Sequence, residues 1–222
     1  MNEDQRPLVV AAGVTVQFGS RMVLASCDLT VNPGTQLALT GRSGSGKTSL
    51  LLVLAGLVPP AAGTVSWPGL HPDNRRRRAQ IGMVFQAPSL VPELTALENV
   101  TLPARLHGAT REQARTAAER ALSLMDLGAA DALPSELSGG EQQRVAIARV
   151  IAGRPRLVLA DEPTGALDRR TALTVLAALR DEVRDTGGAL VLVTHDAELA
   201  RLLPRQARID GVQLAEGRDR CA

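Results

Sequence analysis

Alternating and blocked apolar positions divide the chain into strands and helices. Val9 to Phe18 and Met22 to Val31 alternate in polarity around a turn at Gly19-Ser20, which predicts an antiparallel hairpin. Thr35 to Thr40 alternates again, and the apolar segment Ser49 to Gly56 that follows has helical character. Thr64 to Trp67 and Gln80 to Phe85 read as short strands, the second closing on Gln86. Leu157 to Ala160 and Ala189 to Thr194 are unbroken apolar runs, as expected of strands covered on both faces of a parallel sheet.

From about Ala87 to Gly153 the pattern becomes helical. Thr95 with Glu98, and Thr110 with Gln113, have capping-box spacing and start helices predicted to run to about Leu106 and Met125. Ser138 with Glu141 starts a third helix, and Asp168 caps a helix over Arg169 to Arg184. The run Arg75 to Arg78 reads as a solvated loop before a strand.

Between the strand at Thr35 and the helix at Ser49 lies Gly41-Arg-Ser-Gly-Ser-Gly-Lys-Thr48. Strand, glycine-rich loop and helix in this order make a phosphate-binding loop. Its glycines let successive backbone N–H groups turn inward into an anion nest, and the helix start adds free N–H groups and the positive end of its dipole. Lys47 then reaches the β- and γ-phosphates, and the Thr48 hydroxyl reaches Mg²⁺. Lys47 is the only lysine; the other 24 of the 25 Lys and Arg residues are arginine. A compact ammonium fits between phosphates where a wide guanidinium does not.

Further candidates stand at the ends of predicted elements. Asp161-Glu162 ends a buried strand, where open α/β sheets place their chemistry. Alternation along the strand gives the two acids different directions: Asp161 toward Mg²⁺, Glu162 toward an attacking water. His195 closes the next buried strand. Gln86 has two readings, a surface residue or, pointed at the nucleotide, a Mg²⁺ ligand through its amide oxygen. Gly139 and Gly140 are poor helix formers, each costing about 1 kcal/mol against Ala, so a capped and glycine-lined helix start reads as a second anion site. Phe18 has two readings, a core residue or a platform for adenine. No role is assigned to His71 or His107.

Composition narrows the class. The chain has 222 residues, 45% hydrophobic and 22% charged, with a formal net charge of +2. That size suits one domain with a subdomain, and the charge is too small to argue for nucleic acid. Cys27 and Cys221 lack metal-ligand spacing and read as unpaired thiols in a reducing compartment. Met1 to Gln5 lacks the regions of a signal peptide, and the apolar stretch Leu50 to Gly63 is too short to span a bilayer.

The chain resembles the nucleotide-binding subunit of an ATP-binding cassette (ABC) transporter over its whole length. The resemblance rests on GRSGSGKT (Walker A), Gln86 (Q-loop), LSGGEQQR from Leu137 (signature), LVLADEP from Leu157 (Walker B), Gly165 to Asp168 (D-loop) and Thr194-His195 (H-loop), in that order. It implies an α/β fold: a P-loop NTPase core sheet with an N-terminal antiparallel β subdomain (1–86 and 154–222 together) and an inserted α-helical subdomain (87–153). It implies ATP and Mg²⁺ as cofactors, with the nucleotide held by Gly41, Ser43, Gly44, Ser45, Gly46, Lys47, Thr48, Ser49 and Gln86, and the metal by Thr48, Gln86 and Asp161. Two copies would sandwich two ATP molecules, each between Walker A of one copy and Ser138, Gly139 and Gly140 of the other. Glu162 would be the general base, His195 would hold the γ-phosphate, Asp168 would communicate between sites, and Phe18 would stack on adenine.

DEPTGALD, IGMVFQ and LTALENVTLP are similar to the branch with lipoprotein-release, macrolide and antimicrobial-peptide exporters and the cell-division cassette. That implies an ATPase subunit powering a separate permease, for export or extraction of lipoprotein, peptide or drug-like substrates. The surface beside Gln86 would face the permease; the connection from Gly63 to Gln80 is shorter than usual there. Its place would be cytoplasmic, peripheral on the inner face of the cell membrane, touching the membrane only through the permease. The alternative is a soluble ABC-type ATPase acting on nucleic acid or ribosomes. Such proteins usually carry a coiled-coil insertion or a duplicated cassette, and neither fits this chain.

Overall fold

The computed structural model describes residues 6–210 and 213–216; Met1 to Gln5 and Cys221 lie outside the described residues. The alternation at the start of the chain forms its hairpin. β1 (Val9–Phe18) and β2 (Arg21–Val31) pair antiparallel, Val9 opposite Val31 and Phe18 opposite Arg21. β3 (Gln36–Gly41) leaves for a second sheet and passes through the glycine-rich loop into α1 (Lys47–Leu54). β4 (Ala62–Ser66) returns to the free edge of β1, completing a three-stranded antiparallel sheet.

Arg75 to Arg78 form no loop. They belong to α2 (Asn74–Ala79), because Asp73 caps its start by accepting from Arg76 N at 2.9 Å and arginine is a good helix former. Arg77 then stacks over Trp67, 4.3 Å from the ring centre.

After β5 (Ile81–Val84) come α3 (Ala96–Leu106), α4 (Arg111–Leu124) and α5 (Gly139–Ala152). Each has the reciprocal capping box that its sequence spacing predicts. β6 (Leu157–Asp161), α6 (Arg169–Asp185) and β7 (Ala189–Val193) follow. The chain then adds three elements the apolar pattern did not single out: α7 (Ala197–Arg201), β8 (Arg205–Asp210) and β9 (Gln213–Glu216).

The second sheet runs β5-β6-β7-β3-β8-β9, parallel except for β9. Strand alternation splits its side chains between two cores. Leu157, Leu159, Val191, Val193, Leu37 and Leu39 pack with α1 and the antiparallel sheet. Val158, Ala160, Leu190, Leu192 and Ala38 face the other way, into the core of α3 to α7. Burial on both faces is why β6 and β7 read as unbroken apolar runs. Register places Asp161 opposite Val193, and Val193 opposite Leu39, so β6 and β7 end level and β3 runs two residues further, to Gly41.

Candidate functional site

The phosphate loop leaves the end of β3 in a shape that only glycine permits at two points. Gly41 has φ +148° and Gly46 has φ +96°, and a Cβ on Gly46 would sit 2.9 Å from both the Val23 carbonyl oxygen and Val23 Cγ1. Lys47 is buried, and its Nζ donates to the carbonyls of Gly41 and Arg42 at 3.0 and 2.8 Å, folding the loop around the ammonium. Ser45 Oγ is buried inside the loop with no hydrogen-bond partner. No side chain caps α1, so its first N–H groups remain available. A concave backbone, a buried ammonium and an unpartnered hydroxyl together suit a polyanion.

Asp161 and Thr48 meet at this loop. Thr48 Oγ1 donates to Asp161 Oδ2 at 2.6 Å. Burial raises the Asp161 pKa; the Thr48 hydroxyl lowers it, the Glu162 charge raises it, and Lys47 lowers it. A hydroxyl and a carboxylate converging beside a phosphate loop are the oxygen donors that Mg²⁺ takes.

Glu162 diverges from Asp161 by a different route than strand alternation. The chain leaves β6 at Asp161, and Glu162 has φ +45°, with its N–H donating to Val193 O at 3.0 Å. Left-handed backbone on a non-glycine residue costs of order 1–3 kcal/mol and is held by its surroundings. It brings Glu162 Oε2 to 2.8 Å from His195 Nδ1, with the His195 side chain 71% exposed and Glu162 20% exposed. Lys47, Thr48, Asp161, Glu162 and His195 therefore stand on the carboxyl ends of three adjacent strands.

The other predicted residues do not join this cluster within one chain. Ser138, Gly139 and Gly140 begin α5, where Ser138 Oγ donates to Glu141 Oε2 at 2.6 Å and the same hydroxyl lowers the Glu141 pKa. A Cβ at Gly139 would meet nothing within 4 Å, so this helix start presents bare backbone. No hydrogen bond or ion pair links it to residues 41–49 among the described residues. Asp168 caps α6, accepting from Thr171 Oγ1 at 2.6 Å and from Thr171 N at 3.0 Å. Phe18 is 54% exposed at the end of β1, which overturns its reading as a core residue. Gln86 is exposed two residues past β5, and Ser43 is exposed on the loop; Ser49 is half-buried in α1.

Three polar residues that sequence reasoning passed over tie the segment on either side of Gln86 to the helices. Gln143 Nε2 donates to Phe85 O at 3.2 Å, and Arg149 donates to Ser89 O and Pro88 O at 3.0 and 3.3 Å. Buried Asn99 bonds both ways with Val91 and donates to Leu94 O and Thr95 O. A fully buried Asn inside a helix was the available signal, since it must find its partners locally. Likewise, Arg169 bridges Asp196, at 2.8 Å, and Glu198, which anchors the turn after His195 to the start of α6.

Fold and site define a nucleotide-binding cassette built around a phosphate loop. The model of the ABC transporter family matches residues 24–165. The lipoprotein-releasing system ATP-binding protein LolD of Shewanella denitrificans is 45% identical over 199 residues, covering 86% of this chain and 85% of that protein. The uncharacterized ABC transporter ATP-binding protein YbbA of Escherichia coli is 45% identical over 202 residues, covering 87% and 89%. The dimeric structure of a post-hydrolysis state of the ATP-binding cassette MJ0796 bound to ADP and Pi has a TM-score of 0.88 at 35% identity, covering 96% of this chain and 100% of that one. The chain belongs to the ABC transporter family of ATP-binding proteins, and its activity is that of an ATPase.

Proposed function

We propose that this chain is the ATP-hydrolysing subunit of a transporter that extracts or exports lipoprotein-like substrates. The observation that carries the ATPase site is the convergence of Lys47, Thr48, Asp161, Glu162 and His195 beyond the carboxyl ends of β3, β6 and β7. Lys47 would meet the β- and γ-phosphates, Ser45 and the loop N–H groups would complete the nest, and Thr48, Asp161 and Gln86 would hold Mg²⁺. Mg²⁺ supplies neutralisation of charge on the phosphate oxygens.

Glu162 takes the proton of the attacking water, and His195, held through the Arg169–Asp196–Glu198 anchor, contacts the γ-phosphate. The bare start of α5 closes on nucleotide held by a second copy, with Ser138 and Gly140 on the γ-phosphate and Asp168 at the seam. The dimeric cassettes among its structural relatives support that arrangement. Phe18 supplies the face for adenine. Residues 87–153 form the lobe that carries the signature.

The similarity to LolD supports lipoprotein release and a place at the inner face of the membrane, docked on a permease. Among the described residues no helix is long and apolar enough to cross a membrane. A groove of about 340 Å³ beside β5, lined by Ile81, Met83, Pro103, Arg149 and Pro155, suits the permease contact. Arg149 joins this groove to the segment after Gln86. The test is phosphate release at saturating MgATP together with co-purification. Hydrolysis and capture with a membrane protein are expected; ATP-independent capture with nucleic acid or ribosomes would overturn the transporter reading.

A further inference from the structure

The start of β2 runs along the outside of the phosphate loop. Val23 packs against Gly46, and Arg21 Nη2 lies 3.9 Å from where a Cβ on Gly44 would stand. Arg21 and Val23 are two apart on one strand and share a face, and that face is turned to the loop. Phe18 is opposite Arg21 in the hairpin register, so its ring projects to the same side. Arg21 is exposed and has no acidic partner among the described residues. A guanidinium thus stands between the exposed Phe18 ring and the rim of an anion-binding loop, with no acidic partner among the described residues.

We propose that Arg21 is a nucleotide-binding residue, its guanidinium pairing with the phosphate tail at the outer rim of the loop while Lys47 works within. This rests on the nucleotide reading of residues 41–48 given above. Any nucleotide with its phosphates in the loop and its base on Phe18 must pass Arg21. The planar fork of arginine suits phosphate oxygens, which lysine would meet only as a point charge. An exposed pair is worth up to about 1 kcal/mol, or about fivefold in affinity.

The experiment is calorimetric titration of the wild type, Arg21→Gln and Arg21→Lys with MgATP, MgADP, AMP and adenosine, at low and high salt. Arg21→Gln is expected to bind MgATP about three- to fivefold more weakly, AMP with a smaller loss and adenosine with none. Arg21→Lys should keep part of the affinity, and the gap between variants should narrow in high salt. Its thermal midpoint without nucleotide should match the wild type, since the side chain is exposed. Wild-type MgATP affinity in Arg21→Gln would overturn the proposal, as would an equal loss for adenosine, which would set the guanidinium against the base. A wild-type chain that failed to bind MgATP would strike at the nucleotide reading itself, a separate result.

Discussion

Thr48 Oγ1 donates a 2.6 Å hydrogen bond to Asp161 Oδ2 and so joins the start of α1 to the end of β6 across the top of β7. The bond couples the loop to the acid proposed to complete its metal site, and the Thr48 hydroxyl is the group that makes it. Thr48→Val keeps the shape and removes the oxygen. Its Mg²⁺-dependent phosphate release should fall about a hundredfold or more, whereas Thr48→Ser should stay near the wild type. A Mg²⁺ titration of turnover separates the two variants.

Glu162 and His195, 2.8 Å apart, should fail differently from the loop. Removing a general base costs typically 10²–10⁴-fold in rate, so Glu162→Gln should bind MgATP with wild-type affinity and nearly cease turning over. Single-turnover phosphate release beside a nucleotide titration reads both quantities. Turnover near the wild-type rate would remove Glu162 from the role of base.

Gly46 and Gly139 predict opposite outcomes for fold and function. A Cβ at Gly46 meets the Val23 backbone at 2.9 Å on a left-handed φ, so Gly46→Ala should lose about 1–3 kcal/mol of stability along with nucleotide binding. Gly139 opens on empty space, and Gly139→Leu should unfold within about 1 kcal/mol of the wild type. It should still bind MgATP as a monomer but turn over poorly, because on the proposed arrangement its bulk would face the second copy. Denaturant unfolding and phosphate release of both variants check the contrast.

Local chemistry explains what was legible in the sequence. The hairpin, the buried strands β6 and β7 and the three capped helices each carry their own signal, in alternation, unbroken apolar runs or a hydroxyl three residues before Glu or Gln. The phosphate loop was legible because its glycines are required by backbone shape. β8 was not: Arg205 to Asp210 is short and half charged, and it becomes a strand through its pairing with β3, Leu37 opposite Arg205, far back in the chain. Arg75 to Arg78 are helical because Asp73 caps the start of α2, a signal that a run of four like charges conceals. The divergence of Glu162 from Asp161 rests on a left-handed residue that no side-chain pattern encodes.

Glu182 gives the fold a pH dependence outside the site. Its buried carboxyl, with Arg154 Nε 3.6 Å away, has a pKa raised above the ordinary 4.5 by burial, against the opposing pull of Arg154. The folded chain then binds more protons than the unfolded chain above pH 4.5, so this stabilising contribution is full below 4.5 and is lost as pH rises through the raised value. Glu182→Gln should flatten that fall and leave the chain at least as stable as the wild type at neutral pH. Denaturant midpoints of both chains from acid to neutral pH measure it; a variant clearly weaker at neutral pH would show that pairing with Arg154 outweighs burial.

Two copies closing over nucleotide is the claim on which the whole account turns. Light scattering of Glu162→Gln, with and without saturating MgATP, measures it directly. The expected result is a monomer that becomes a dimer on adding MgATP, and that stays monomeric when Ser138→Arg is added to the same chain. A strictly monomeric mass with MgATP bound would contradict it.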